Sequence, residues 1–238
     1  MFRFYFCIFI SFPLIIYYIV KIRIMMINPD RYSEEYRYGV ARNMVRRVMK
    51  NSRITTKCYG LENLPSEGGY IITPNHQGKF DALGIIYSHD APCSIVIDST
   101  TAKVELTHEF VDVLGGIRIN REDNRQQIAA IKELAEQVKN GKRFIIFPEG
   151  GYTDNKNHLQ SFMPGAFKAA LWSQVPIVPV ALIDSYKPFG EGGYKPVETQ
   201  VHFLKPLYYE NYKDLKTKEI AETVKKNIEN KINEICKQ

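Results

Sequence analysis

The sequence predicts an α/β fold, a β-sheet with helices on its faces, preceded by two N-terminal helices of different character. Three observations carry this reading. From residue 70 onward, short apolar runs alternate with amphipathic stretches, the pattern of strands and helices stacked in layers. The first fifty residues hold nine basic and three acidic side chains, which accounts for the whole net charge of +6. The most apolar segment of the chain lies in the same fifty residues. With 238 residues, 45% apolar and 24% charged, the chain has the composition of a globular protein with a sizeable core. Its organisation divides into an N-terminal helix pair, residues 1–50, and a main domain, residues 51–238.

The first element runs through FYFCIFISFPLIIYYIV, Phe4 to Val20, 17 residues without a formal charge. As a helix it would be about 25 Å long against a hydrocarbon core of about 30 Å. It is long enough just to span a bilayer or to lie in one. Pro13 would kink it, which membrane helices tolerate. A signal peptide competes with this reading, but Lys21, Ile22 and Arg23 follow in place of a small-residue cleavage site. A buried core helix is the other alternative, and the lack of a polar face weighs against it. Basic residues beyond its C-terminal end place the bulk of the chain on the cytoplasmic face of the cell membrane.

The second helix is expected over residues 32–50. Tyr36, Val40, Met44 and Val48 recur every four residues, and Arg42, Arg46 and Lys50 form a second row. Such a helix suits a headgroup layer, or packs one face on the domain and leaves the other solvated. Because the excess charge sits here, the partner it implies is an anionic membrane surface. A nucleic-acid binder would carry its basic stripe on the main domain, so no nucleic-acid partner is expected.

In the main domain, strands are predicted at Tyr70–Thr73, Ser94–Ile97, Ile117–Ile119 and Arg143–Phe147, with a further one at Val201–Phe203. Helices are predicted at Ala82–Tyr87, Gln126–Val138 and Phe162–Trp172. A last helix carries the stripe Ile220, Val224, Ile228, Ile232 and Ile235. The run PIVPVAL, Pro176–Leu182, is strand-like, but its prolines argue for an edge strand or irregular ends. Four cysteines (Cys7, Cys58, Cys93, Cys236) form no CxxC pair and no Cys/His group with zinc spacing. They read as reduced thiols.

Three groups of residues carry possible chemistry. His76 and Asp81 lie five apart, so they cannot share a helix face. They meet if His76 sits in a loop and Asp81 opens the next helix. One ring nitrogen would then be held by the carboxylate and the other left free as a general base. In Gly115-Gly116-Ile117-Arg118-Ile119-Asn120-Arg121 the arginines can fork onto a phosphate. On an extended strand Arg118 and Arg121 face opposite ways, so only one should enter a site directly. Phe147-Pro148-Glu149-Gly150-Gly151 follows a buried strand, where α/β sheets line ligand crevices. A Gly-Gly turn there exposes N–H groups suited to an anion or oxyanion. Each group also has an ordinary structural reading: a loop histidine with a capping Asp, solvated arginines, a plain turn.

Together and in this order, NHQGKFD, GGIRINR, FPEGGYT and VPIVPVAL resemble the four blocks of the glycerolipid acyltransferases, specifically the bacterial 1-acylglycerol-3-phosphate acyltransferases. Those blocks read NHxxxxD, GxxxIxR, FPEGTRS and VPxVPV. The resemblance spans residues 50–205 or so. It implies a mixed β-sheet flanked by helices, an N-terminal membrane-binding helix pair, and transfer of a fatty acyl group to the free hydroxyl of lysophosphatidic acid, giving phosphatidic acid. His76 then matches the base and Asp81 its orienting partner. Arg121 matches the phosphate-binding arginine, and Glu149 and Gly150 match the third block, beside Gly151. Lys103 resembles a basic residue often found between the first two blocks, there to polarise the thioester carbonyl. Arg118 stands where the family often has an aromatic residue, as a spare charge for the phosphate.

The donor implied is an acyl thioester, of acyl carrier protein or coenzyme A. A thiolate leaves readily, so neither a metal, a bound cofactor nor a covalent acyl-enzyme is required, and there is no GxSxG nucleophile elbow. The third block departs from the pattern: Tyr152 replaces its arginine. Two alternatives stay open: another acceptor, such as glycerol-3-phosphate or a different lysophospholipid, and a membrane-tethered lipid-binding protein with a degenerate site.

Overall fold

The computed structural model describes residues 2–191 and 193–236. Two helices come first, α1 (Phe2–Ile27) and α2 (Glu34–Asn51). Ser33 starts α2 by accepting a hydrogen bond from the N–H of Tyr36, which satisfies one orphan donor of the first turn. There follow β1 (Ile54–Tyr59), β2 (Tyr70–Pro74), α3 (Asp81–Ser88), β3 (Ser94–Asp98), α4 (Thr107–Val113), β4 (Ile117–Ile119) and α5 (Asn124–Lys139). Then come β5 (Arg143–Ile145), α6 (Lys168–Ser173), β6 (Ile177–Ile183), α7 (Lys187–Gly190), β7 (Val197–Phe203) and α8 (Thr217–Cys236).

Among the described residues, seven strands form one mixed sheet in the order β1-β7-β6-β2-β5-β3-β4. From β6 to β4 the strands are parallel, while β7 is antiparallel to β6 and pairs β1 in parallel. The C-terminal ends of five strands therefore share one edge, where an α/β sheet presents a crevice. Side-chain alternation sorts the core into two layers. In β2, Tyr70 and Ile72 face the helices α1–α4, while Ile71 faces α5, α6 and α8. In β6, Val178, Val180 and Leu182 lie on the first side and Ile177, Ala181 and Ile183 on the second.

Two expectations change. The strand expected at an edge or with irregular ends, β6, is central and wholly buried, with Pro176 left outside its start. It accommodates Pro179 because that residue lies opposite Leu204, one position past the end of β7. The carbonyl of Pro179 accepts from Leu204 N–H at 2.9 Å, so the ladder loses a single donor at its frayed end. The helix expected from Phe162 starts later, as a 3-10 turn (Pro164–Phe167) leading into α6.

The boundary at 50/51 divides the composition of the chain but not its packing. In α2, Tyr38, Val40, Ala41, Met44, Val45 and Met49 are buried in the same cluster as Ile72, Val178 and Phe203 of the sheet. Its apolar stripe thus faces the domain, and Tyr36 is exposed. Arg42, expected in the solvent-facing row, is turned inward, donating to Tyr87 O and pairing with Asp90 at 2.6 Å.

Helix α1 is long and apolar enough to cross a membrane by length and composition, with 28% of its apolar window buried against the domain. Both of its ends are fastened. Arg3 is buried and donates to the carbonyls of Pro188, Gly193, Lys195 and Ser52 at 2.6–2.9 Å. Arg23 pairs with buried Glu109 at 2.5 Å. The opposite face leaves Phe9, Phe12, Tyr17, Ile24 and Ile27 exposed.

At the other end of α3, His89 is fully buried as the neutral imidazole. Its Nδ1 lies 2.6 Å from Ala91 O, and its Nε2 lies 2.7 Å from the Tyr70 hydroxyl. Burial pushes its pKa down to about 4. The unfolded chain then binds a proton that the folded chain refuses, so this contribution to stability is complete above the ordinary value of 6.5 and is lost as pH falls toward 4. The urea midpoint is expected to drop as pH is lowered from 6.5 to 4. His202, which burial also lowers to about 4, adds to the slope. In His89→Gln the slope should be shallower, and an unchanged slope would show that His89 does not set it.

Candidate active site

The site occupies the C-terminal edge of the parallel strands, and the segment after β2 is its centre. Asn75 is fully buried and clamps that segment to β6. Its side chain accepts from Leu182 N–H at 2.7 Å and donates to Leu182 O at 3.1 Å. Gln77 reaches the same carbonyl at 2.8 Å and accepts from Ser185 N–H. Between them His76 is turned toward Asp81, the first residue of α3. Nδ1 of His76 lies 2.7 Å from Oδ2 of Asp81. The same oxygen accepts the N–H groups of Gln77 and Gly78. A buried carboxylate held by three donors has one orientation, so it fixes the tautomer with hydrogen on Nδ1 and leaves Nε2 as a base.

The imidazole is also held through its backbone and its faces. His76 N–H donates to Glu149 Oε1 at 3.0 Å, and Asn155 donates to His76 O at 3.1 Å. Phe147 stacks on one side with ring centroids 4.2 Å apart, and Tyr152 meets the ring edgewise at 4.7 Å. Glu149 Oε2 accepts from Gln160 Nε2 and N–H. Burial raises the Glu149 carboxyl above its ordinary value, opposed by the bonds from His76 and Gln160. With both oxygens engaged, Glu149 serves as a positioning residue. Gly150 adopts φ +73, a conformation that favours glycine, and a Cβ there would fall 1.9 Å from Met163 Cε. Its N–H is committed to Phe147 O at 3.1 Å, so it is not available to an oxyanion. Gly151, exposed, gives its carbonyl to Gln160.

Arg121, just beyond β4, donates through Nη1 to Gly150 O and lies 3.6 Å from Asp98. Its side chain is about half exposed, 47%. Arg118 is placed differently from the expectation of a spare phosphate charge. It points to α4, paired with Asp112 at 2.5 Å and with His108 Nδ1 at 3.1 Å. Lys103 is exposed on a 3-10 turn after β3 and makes no hydrogen bond or ion pair with the other site residues. The structure thus brings together His76, Asp81, Glu149, Gly150 and Arg121. Gln77, Asn155 and Gln160 join the site through hydrogen bonds that no motif in the sequence assigns them. Only the position of Gln77 inside the first block could have marked it.

A charge-oriented histidine at the strand ends of an α/β sheet, with an arginine on the neighbouring turn, is an arrangement able to abstract a proton near an anion. The acyltransferase family profile matches residues 55–183, and the chain belongs to that family. Similar curated proteins bear one activity name. The chloroplastic 1-acyl-sn-glycerol-3-phosphate acyltransferase BAT2 of Brassica napus is 30% identical over 189 residues, which is 75% of this chain and 52% of that protein. The Borreliella burgdorferi enzyme of the same name is 31% identical over 127 residues, 53% of this chain and 50% of that one. A probable 1-acyl-sn-glycerol-3-phosphate acyltransferase of Mycoplasma pneumoniae is 22% identical, covering 87% of this chain and 82% of that protein. The chain spans about half the length of the first two. The fold matches the crystal structure of the 1-acyl-sn-glycerophosphate acyltransferase PlsC from Thermotoga maritima with a TM-score of 0.77. That match has 20% identity and covers 99% of this chain and 94% of that chain.

Proposed function

We propose that this protein transfers a fatty acyl group from a thioester to the free hydroxyl of lysophosphatidic acid, giving phosphatidic acid. The observation that carries the reading is the His76–Asp81 pair at 2.7 Å, in a chain of the acyltransferase family whose relatives are named for this activity. A hydroxyl is a poor nucleophile at neutral pH. His76 Nε2 takes its proton while the oxygen attacks the thioester carbonyl carbon. The tetrahedral adduct collapses, the C–S bond breaks, and the thiolate takes the proton from His76. Asp81 stabilises the imidazolium between these steps. Arg121 binds the acceptor phosphate, and Lys103, on its exposed turn, can swing toward the thioester carbonyl. Coenzyme A and acyl carrier protein offer the same thioester.

The exposed apolar face of α1 supports residence on the cell membrane, and the basic excess of residues 1–50 favours its cytoplasmic face. Both ends of α1 are bonded to one domain, so it lies in the anionic surface instead of crossing it. Purified protein in anionic vesicles, given mixed acyl thioesters with lysophospholipids in one reaction and with glycerol-3-phosphate in another, is expected to yield phosphatidic acid from lysophosphatidic acid by mass spectrometry. Acylated glycerol-3-phosphate or another lysophospholipid as sole product would replace the acceptor. Absence of any thioester-dependent product would leave a lipid-binding protein.

A further inference from the structure

We infer that Tyr152 is a positioning residue for the His76 base, held against the imidazole in place of the acceptor-phosphate contact its place in the third block suggests. The inference rests on the reading of His76 as the base. In the related blocks this position is an arginine, and an uncharged donor there would be expected to contact the phosphate. The geometry assigns it elsewhere. The Tyr152 ring meets the His76 ring at 4.7 Å and 66°, and the Phe147 ring stacks on it at 4.2 Å and 28°. The hydroxyl of Tyr152 makes no hydrogen bond with the described residues, and the side chain is 42% exposed. Its contact with the site is therefore through the ring.

His76 needs such a clamp. The bond from Nδ1 to Asp81 fixes one point of the imidazole, but a ring held at one atom can still rock about that bond. A stacked ring and an edge-on ring together restrict the rocking, and edge-to-face pairs are favourable. Tyr152 is carried there by the turn at Gly150–Gly151, whose left-handed Gly150 reverses the chain after β5. The segment beyond is strapped back on the site, where Asn155 donates to His76 O and Asn157 accepts from Gln77. Nε2 is thus kept aimed at the place where the hydroxyl must arrive. A misplacement of about 1 Å at a reacting centre can cost on the order of 100-fold in rate.

The test has a kinetic and a spectroscopic arm. Tyr152→Ala is expected to lower kcat 10- to 100-fold, within the range about 100-fold set by misplacement, with little change in KM for lysophosphatidic acid. Tyr152→Phe should restore kcat, because the ring and not the hydroxyl does the positioning. A Tyr152→Phe variant as poor as Tyr152→Ala, or a loss confined to KM for the acceptor, would overturn the inference and assign the hydroxyl to the phosphate. The second arm needs no turnover. In protein labelled with 13C-histidine, the His76 ring protons of the wild type and Tyr152→Phe are expected to share positions displaced by the residue-152 ring current from those in Tyr152→Ala. Identical His76 shifts in all three would overturn the inference as well. If the wild type transfers no acyl group, the proposed function fails while the spectroscopic arm still decides whether Tyr152 holds the ring.

Discussion

Replacing His76 with alanine is expected to lower kcat by about 10²–10⁴-fold, the range for loss of a general base, with KM for both substrates little changed. The side chain makes its main contribution while the hydroxyl proton is moving, and the bound substrates do not depend on it. Asp81→Asn should fall in the same direction. Asparagine can still accept the N–H groups of Gln77 and Gly78 and the Nδ1 proton at the present oxygen position. It cannot supply the negative charge that stabilises the imidazolium, so the loss should appear in kcat. Steady-state rates on full-length protein in anionic vesicles measure both variants, with circular dichroism as the check that each is folded. Near-normal turnover in His76→Ala would sink the mechanism, in which the imidazole oriented by Asp81 takes the hydroxyl proton.

The parts of this site that could be read from the chain are those set by local spacing. The five-residue interval from His76 to Asp81, just past an apolar strand and at the start of a helix, leaves few ways for the two to miss each other. Arg118 and Arg121 take different partners, but the strand that was to separate them ends at Ile119, and the sequence did not say that α4 would supply Asp112 and His108 to hold Arg118. Contacts across the sheet were not legible. Glu149 reaches the His76 amide from 73 residues away, and β2–β5 pairing brings it there. Strand β1, with its ITTKCY sequence, has too few apolar positions to stand out. It forms because β7 lends it a parallel partner, with Thr56 and Thr199 bonded at 2.8 Å across the pair. The stripe of α2 is legible as a period but leaves its face open between headgroup layer and domain, because a period does not say which side the rest of the protein will occupy. The same limit applied to Pro179: a proline within an apolar run argues against a central strand, unless the neighbouring strand happens to end opposite it.

Arg121→Ala is expected to raise KM for lysophosphatidic acid by about 10- to 100-fold, the equivalent of the roughly 1.5–3 kcal/mol that a hydrogen bond to a charged group contributes. The charge has to come from here. Tyr152 stands where the third block usually has arginine, and its ring is engaged with His76. Arg118 is spent on Asp112. Arg121 alone of these lies beside the turn that carries Gly150, and its guanidinium is half exposed, with the carbonyl of Gly150 and a distant Asp98 as its partners. A carboxylate 3.6 Å away is a looser partner than a phosphate held by a fork of two N–H groups. Arg121→Lys keeps the charge and loses the fork, so an intermediate KM is expected, while Arg118→Ala should leave KM unchanged. A neutral acceptor, monoacylglycerol, separates recognition of the phosphate from damage to the turn, because only the phosphate-bearing acceptor should lose affinity. If KM for lysophosphatidic acid is the same in Arg121→Ala as in the wild type, the phosphate does not bind at this turn. An uncharged acceptor then becomes the better substrate for a base held as His76 is.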